Sequence, residues 1–217
     1  MTTRQIHKYL ATTAFAAALM LAGMFAITLI TGVSPQHFEL LADPSVYAQE
    51  IMAAEGPLRL ALTLDNLFLT FYTAAFIFLA MSLWNKENWL LVTVGLGAVL
   101  LTAYLDLQEN HDILTQLATT INGLPIALAD LQQRMILSQL KFHSSYLGFF
   151  LLAFAMPGNT FLEKFLKVSL WFGYLPIGIL VYTFPNAIFD WLRITFMLAG
   201  LTILGWNYFV RYRNQVS

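Results

Sequence analysis

Six long apolar segments dominate this sequence and restrict what the chain can fold into. A helix needs about 20 mostly apolar residues to cross roughly 30 Å of hydrocarbon, because it rises 1.5 Å per residue. Each of the six segments is long enough to do so. They predict membrane-spanning helices over residues 9–33, 57–84, 89–108, 136–156, 165–184 and 188–210.

The composition places the chain in the same class. Of its 217 residues, 59% are hydrophobic and 11% are charged, and the mean hydropathy is +0.67. A soluble domain is about half apolar and roughly a quarter charged, so lipid must solvate much of this apolar surplus. The net charge of -1 excludes the basic profile of a nucleic acid-binding protein. The predicted fold is therefore an all-α polytopic membrane bundle with six transmembrane helices, forming one integral membrane domain over residues 1–217.

The first apolar segment follows Arg4, His7 and Lys8, as the apolar core of a signal peptide would. It is about ten residues longer than such a core, and no clear small-residue cleavage site follows it. We therefore interpret it as a retained membrane anchor.

The charges are distributed unevenly across the predicted spans. Seven of the 11 basic residues fall on the side that holds both chain termini, whereas ten of the 12 acidic residues fall on the other side. Lysine and arginine are enriched in cytoplasmic loops. The sequence therefore predicts that both termini are cytoplasmic and that the opposite, acidic side is the outer one.

Two long connections, 34–56 and 111–135, lie on the outer side in this topology. In the first, Asp43-Pro44 is typical of a helix start. In the second, apolar residues recur at helical spacing over 113–121 and end at Asn122-Gly123. Both patterns predict short surface helices that partly cover the outer ends of the spans.

Polar side chains from four predicted spans fall in the same outer half of the membrane. An ionisable side chain at this depth costs about 2.5–3.5 kcal/mol on insertion scales, so it must face the bundle interior, pair with a partner or reach the interface. We expect an outward-facing pocket walled by spans two, three, four and six. The candidate catalytic or cation-binding side chains are Asp65, Asp106, Glu109, Lys141 and His143. The candidate ligand-binding side chains are Asn66, Tyr72, Asn110, Ser145 and Arg193.

Several kinds of chemistry fit this set of residues. Lys141, Arg59 or Arg193 would meet the phosphate of a lipid head group while the carboxylates meet an amine. Buried carboxylates beside a lysine would instead transfer protons. His111 and His143 with the carboxylates would form a divalent metal site, and the same two histidines raise the question of a haem. A structural ion pair between Asp65 and Lys141 is the alternative that needs no ligand.

Three functions follow from these alternatives. The leading hypothesis is a membrane protein that binds, or binds and transforms, a lipid head group or a small polar molecule. The second is an accessory subunit with protein partners in the membrane, in which the polar cluster is structural. The third is a small-molecule or proton-coupled transporter.

Two short motifs occur on the second and third spans. Asp65-Asn66-x-Phe68 with Tyr72, and Asp106-x-x-Glu109-Asn110, resemble a pattern of uncharacterised multi-span bacterial membrane proteins. The resemblance implies a helical bundle in a bacterial inner membrane, but it does not imply any particular activity.

Overall fold

The computed structural model describes residues 1–40, 43–184 and 186–215, apart from the side chain of Ala187. All regular secondary structure within these residues is helical. The helices are α1 Thr3–Thr31, α2 Pro35–Leu40, α3 Pro44–Ala53, α4 Glu55–Leu83, α5 Trp89–Ile121, α6 Leu128–Ala155, α7 Phe161–Ser169, α8 Leu175–Thr183 and α9 Ala187–Asn214. A π-helical segment, Leu170–Tyr174, joins α7 to α8.

Five helical stretches within the described residues are long and apolar enough to cross a membrane. They are Thr3–Thr31, Glu55–Leu83, Trp89–Ile121, Phe161–Thr183 and Ile188–Asn214. The chain is therefore an all-helical bundle with the apolar helices of a membrane protein. The predicted span at 136–156, within α6, is not in this set, because α6 carries polar side chains such as Arg134, Ser138 and Lys141 along a buried face.

The long helices alternate in direction. The start of α1 meets the ends of α4 and α9, where the rings of His7 and Tyr208 lie 5.2 Å apart and Ser82 Oγ lies 3.4 Å from the Tyr208 hydroxyl. At the same end of the bundle, Asn88 before α5 donates to the carbonyl of Ala155 at the end of α6, at 3.5 Å. We call this the termini end and the opposite one the distal end.

The sequence correctly predicts several helix boundaries. Asp43 Oδ1 accepts from the backbone N–H of Ser45 at 2.9 Å and of Val46 at 3.1 Å, so it caps α3 as expected. The hydroxyl of Ser45 and these backbone groups lower the pKa of Asp43. Gly123 adopts a left-handed φ of 70° just after α5, a conformation that favours glycine and ends the helix where Asn122-Gly123 predicts.

The separate surface helix that the sequence predicts over 113–121 is not formed, because α5 continues through the predicted span end at 108. Helix α5 is continuous for 33 residues, which is about 50 Å and longer than the hydrocarbon layer is thick. Asp106, Glu109 and Asn110 do not end the helix in water, because all three are buried.

A second apolar core explains why α5 continues. It lies at the distal end and consists of Phe38, Tyr47, Ile51, Ala54, Leu58, Leu62, Ile113, Leu117 and Leu131. Arg134 closes this core by donating to the Tyr47 hydroxyl at 2.8 Å and to Gln116, with its guanidinium 4.7 Å from the centre of the Tyr47 ring. Burial raises the pKa of Tyr47 to about 12, so the phenol is neutral at physiological pH.

The helical chain forms a widened turn just before Pro176. Proline has no N–H and its ring displaces the carbonyl four residues earlier. The backbone N–H of Leu175 bonds to Leu170 five residues back, and the π segment ends there. Tyr174 is thereby placed in the interior.

Helices α5 and α6 approach closely at a glycine pair. A Cβ on Gly148 would meet Val99 Cγ2 at 2.7 Å and the Gly95 carbonyl at 3.0 Å, whereas a Cβ on Gly97 would meet nothing within 4 Å. Sequence analysis alone does not separate Gly95 from Gly97. The contact geometry shows that only Gly95 packs against α6.

We expect Gly148→Ala to lower the free energy of unfolding in detergent by about 1–3 kcal/mol, because backbone atoms of α5 cannot make room for the methyl group. The matched variant Gly97→Ala should leave stability unchanged or raise it by up to about 1 kcal/mol, since alanine favours the helix. Thermal unfolding of both variants would measure the difference. Equal melting temperatures would contradict the close packing.

Candidate functional site

A buried ion cluster around Lys141 is the main polar feature of the bundle interior. Lys141 Nζ lies 3.1 Å from Asp106 Oδ1 and 3.5 Å from Glu39 Oε1, and it also pairs with Glu109. Only 7% of the lysine side chain is exposed. One ammonium group therefore connects three carboxylates from two other helices, and we call these four residues the Lys141 cluster.

Helical spacing and the glycine contact assemble the cluster. Asp106 and Glu109 are three residues apart and so share one face of α5. Lys141 faces them from α6, seven residues before Gly148 on the face that packs against α5. Because the two backbones are close, the lysine reaches both carboxylates.

Glu39 is a member of the cluster that the sequence analysis missed. It lies on the six-residue helix α2, is buried, and accepts a 3.0 Å hydrogen bond from Ser138 Oγ. The sequence places it in the outer connection with other acidic residues, and no local pattern distinguishes it from an exposed carboxylate. Its role depends on α2 packing against α5 and α6 beside Asp106 and Lys141.

Helix α4 contributes a second layer of polar side chains. The Tyr72 hydroxyl donates to Asp106 Oδ2 at 3.3 Å, and Asn110 donates to Asn66 Oδ1 at 3.3 Å. Asp65 is half-buried beside them. Within residues 1–40, 43–184 and 186–215 it forms no ion pair with a basic side chain, so the expected Asp65–Lys141 ion pair is not formed.

A cavity of about 340 Å³ begins at this polar region. Glu39, Asp65, Asp106 and Lys141 line its distal part, and Ser34, Pro35 and Gln36 lie beside them. The rest of the wall is almost wholly apolar and comes from α1, α4, α6, α7, the π segment and α9. Its residues towards the termini end include Leu79, Leu152, Met156, Leu166 and Leu204. The walls thus include helices of the first and fifth predicted spans, in addition to spans two, three, four and six.

The histidines lie outside the Lys141 cluster. His143 is exposed on α6, where its Nδ1 lies 2.8 Å from the Gln139 carbonyl oxygen and its ring contacts Tyr146 and Tyr182. His111 is exposed on α5. No group of three or more His, Asp or Glu side chains in the described part of the chain is placed to hold a metal ion. The divalent metal site considered for these histidines therefore gains no support from the geometry.

Of two other predicted ligand-binding residues, Ser145 lines the cavity and Arg193 does not. Ser145 lines the cavity and donates to the Phe142 carbonyl at 2.7 Å. Arg193 is buried on α9 but lies 3.3 Å from Asp190 Oδ1, with its guanidinium 4.1 Å from the centre of the Phe142 ring. Arg193 thus joins α9 to α6 beside the cluster instead of entering it.

A further buried network lies at the termini end. Glu163 accepts from the backbone N–H groups of Asn159 and Thr160, at 2.8 and 3.3 Å, and pairs with Arg211. Asn207 also donates to it, at 3.4 Å. The Thr160-x-x-Glu163 spacing of a capping box was present in the sequence, but the contacts to α9 are tertiary. This network ties α7 to α9.

Comparison with protein-family models, with curated proteins and with solved structures finds no match to this chain. The resemblance of the two α4 and α5 motifs to multi-span bacterial membrane proteins therefore stays a prediction.

We expect Lys141→Met to lower the free energy of unfolding by about 3–5 kcal/mol, because removing one partner leaves buried carboxylates without their counter-ion. His143→Gln, two residues away on the exposed face, should change stability little. Chemical or thermal unfolding in one detergent would compare the two. A Lys141→Met protein as stable as the wild type would contradict the cluster.

Proposed function

We propose that the protein is an integral membrane protein that binds one membrane amphiphile, with its polar head at the Lys141 cluster and its apolar chain in the cavity. The polarity of the cavity supports this proposal most directly. Charged side chains line one end, and apolar side chains line nearly all of the remainder. An amphiphile has the same division between head and chain.

The length of the cavity fits a membrane lipid chain. Lys141 and Met156 both line it and are 15 residues apart on and just after α6, which corresponds to about 22 Å along a helix. The chains of one leaflet fill about half of the roughly 30 Å hydrocarbon layer. A whole acyl or alkyl chain therefore fits between the cluster and the termini end.

Binding of an amphiphile accounts for the cavity better than ion transport or a purely structural ion cluster does. Beyond the cluster, the wall towards the termini end offers mainly side chains such as Leu79, Leu152 and Leu166, which do not solvate an ion. An accessory subunit with a structural ion cluster would explain the salt bridges. It would not require an apolar cavity that opens beside them.

We also propose that six spans cross a bacterial inner membrane. Both termini are then cytoplasmic, and α2 and α3 lie at the outer surface. Helix α6 connects the distal end of α5 to α7, whose Glu163 pairs with Arg211 at the termini end. Its two neighbours meet it at opposite ends of the bundle, which supports a sixth crossing by α6. Its buried lysine and arginine make it more polar, but they face protein instead of lipid.

The topology can be tested by labelling single cysteines, since the chain has none of its own. Leu124→Cys lies in the turn before α6, and Asn159→Cys lies in the turn after it. A membrane-impermeant maleimide should label Leu124→Cys in intact cells and Asn159→Cys only after permeabilisation. Labelling of both from the same side would show that α6 does not cross.

Amphiphile binding can be tested by filling the cavity. Gly200 lines it, and a Cβ there meets nothing within 4 Å, so Gly200→Phe places a ring in the open space. We expect this variant to weaken saturable binding of radiolabelled hexadecyl amphiphiles about tenfold or more, a loss of about 1.4 kcal/mol. Gly97→Phe, which places the same ring on the exposed face of α5, should bind as the wild type does. Equal binding by both variants would show that the alkyl chain of the ligand does not lie in this cavity.

A further inference from the structure

We infer that the head group bound at the Lys141 cluster is a cation of the ammonium type and that anionic head groups are excluded. This inference rests on the proposed amphiphile function and names the class of ligand. It depends on the hydrogen-bond donors and charges that the cavity wall presents.

Three carboxylates already surround the ammonium group of Lys141. Its ammonium group carries three N–H donors. Three carboxylates lie within ion-pair distance of Nζ, those of Glu39, Asp106 and Glu109. A phosphate or carboxylate head group would have to displace one of them and leave it buried without its cation, which is costly.

The other two basic residues considered for phosphate binding are held elsewhere. Arg193 pairs with Asp190 and stacks on Phe142. Arg59 is exposed near the start of α4 and pairs with Glu55 at 3.0 Å. Of the basic residues in the described ranges, Lys141 is the one that lines the cavity.

The cavity wall has more acidic groups than its single lysine neutralises. Three carboxylates, those of Glu39, Asp65 and Asp106, line the cavity with one ammonium, and the buried Glu109 pairs with the same lysine. Asp65 lines the cavity and makes no ion pair in the part of the chain that the structure describes. A second cation supplied by a ligand would compensate for this excess.

An orphaned oxygen atom provides separate evidence. Glu109 is 1% exposed, and its Oε1 has no hydrogen-bond partner among the described residues, although Oε2 pairs with Lys141. Buried polar atoms are almost always hydrogen-bonded. The cluster thus contains a buried acceptor without a donor, on a carboxylate that pairs with the lysine lining the cavity.

Aromatic rings next to Asp65 favour the same ligand. Phe68 and Tyr72 follow Asp65 at positions i+3 and i+7 of α4, so they share its face, and both line the cavity. Aromatic faces attract ammonium groups more strongly when water is excluded. Anions gain nothing from these faces.

The inference can be tested with three ligands that share one chain and differ in the head group. Hexadecylamine is cationic at pH 7, hexadecanol is neutral and palmitate is anionic. Equilibrium binding to the full-length protein in a non-ionic detergent should rank the amine tightest, by about tenfold over the alcohol, and palmitate weakest. Palmitate binding as tightly as the amine or tighter, or equal binding of all three, would overturn the head-group inference and leave amphiphile binding intact. Absence of saturable binding by all three would overturn the proposed function itself.

A substitution of Asp65 tests whether this side chain provides the preference for a cationic head group. Asp65→Asn keeps the shape and removes the charge, so the preference for the amine over the alcohol should fall about tenfold while hexadecanol binding stays unchanged. Glu55→Gln removes an exposed charge from the same helix and should keep the wild-type preference. Melting temperatures of both proteins establish that they are folded. An unchanged amine preference in a folded Asp65→Asn protein would contradict the assignment.

Discussion

The ammonium group of Lys141 is the interaction on which the interior of this bundle depends. It lies between carboxylates of α2 and α5, and each of these groups would be expensive to bury alone. Together they hold α2 against α5 and α6. They also set the polarity of one end of the cavity, because Lys141 and two of its partners line the wall there. The same salt bridges thus organise the distal packing and define what a ligand would meet.

That cluster requires α5 and α6 to be close, and a glycine contact permits it. Gly95 and Gly148 leave no room for side chains between the two backbones. Beyond the cluster, both helices continue into a separate apolar core built with α2, α3 and α4. The buried residues Ile113 and Leu117 belong to this core, so α5 exceeds the length that a membrane alone would require. The distal core thereby supports the polar end of the cavity from outside.

The cavity indicates a ligand with two chemically different parts, because its own two parts differ in polarity. Its apolar part alone would be an ordinary packing defect filled by lipid, and its polar part alone would be a structural ion cluster. Joined in one space of about 340 Å³, they match a molecule with a head and a chain. The three carboxylates around Lys141 then favour a cationic head, because the other charged groups in the wall are carboxylates such as Asp65.

The sequence by itself determined the all-helical class, the apolar helices, the Asp43 cap and the polar character of Asp106, Glu109 and Lys141. These follow from local rules, since apolar length, capping and spacing along one helix are visible in neighbouring residues. Only the tertiary structure decided that Glu39 joins the cluster, that His143 faces away from it and that α5 continues to Ile121. These features depend on which helices pack together. A polar residue near a predicted span end is exposed to water in one packing and buried against another helix in a different one, and the local sequence is the same in both cases.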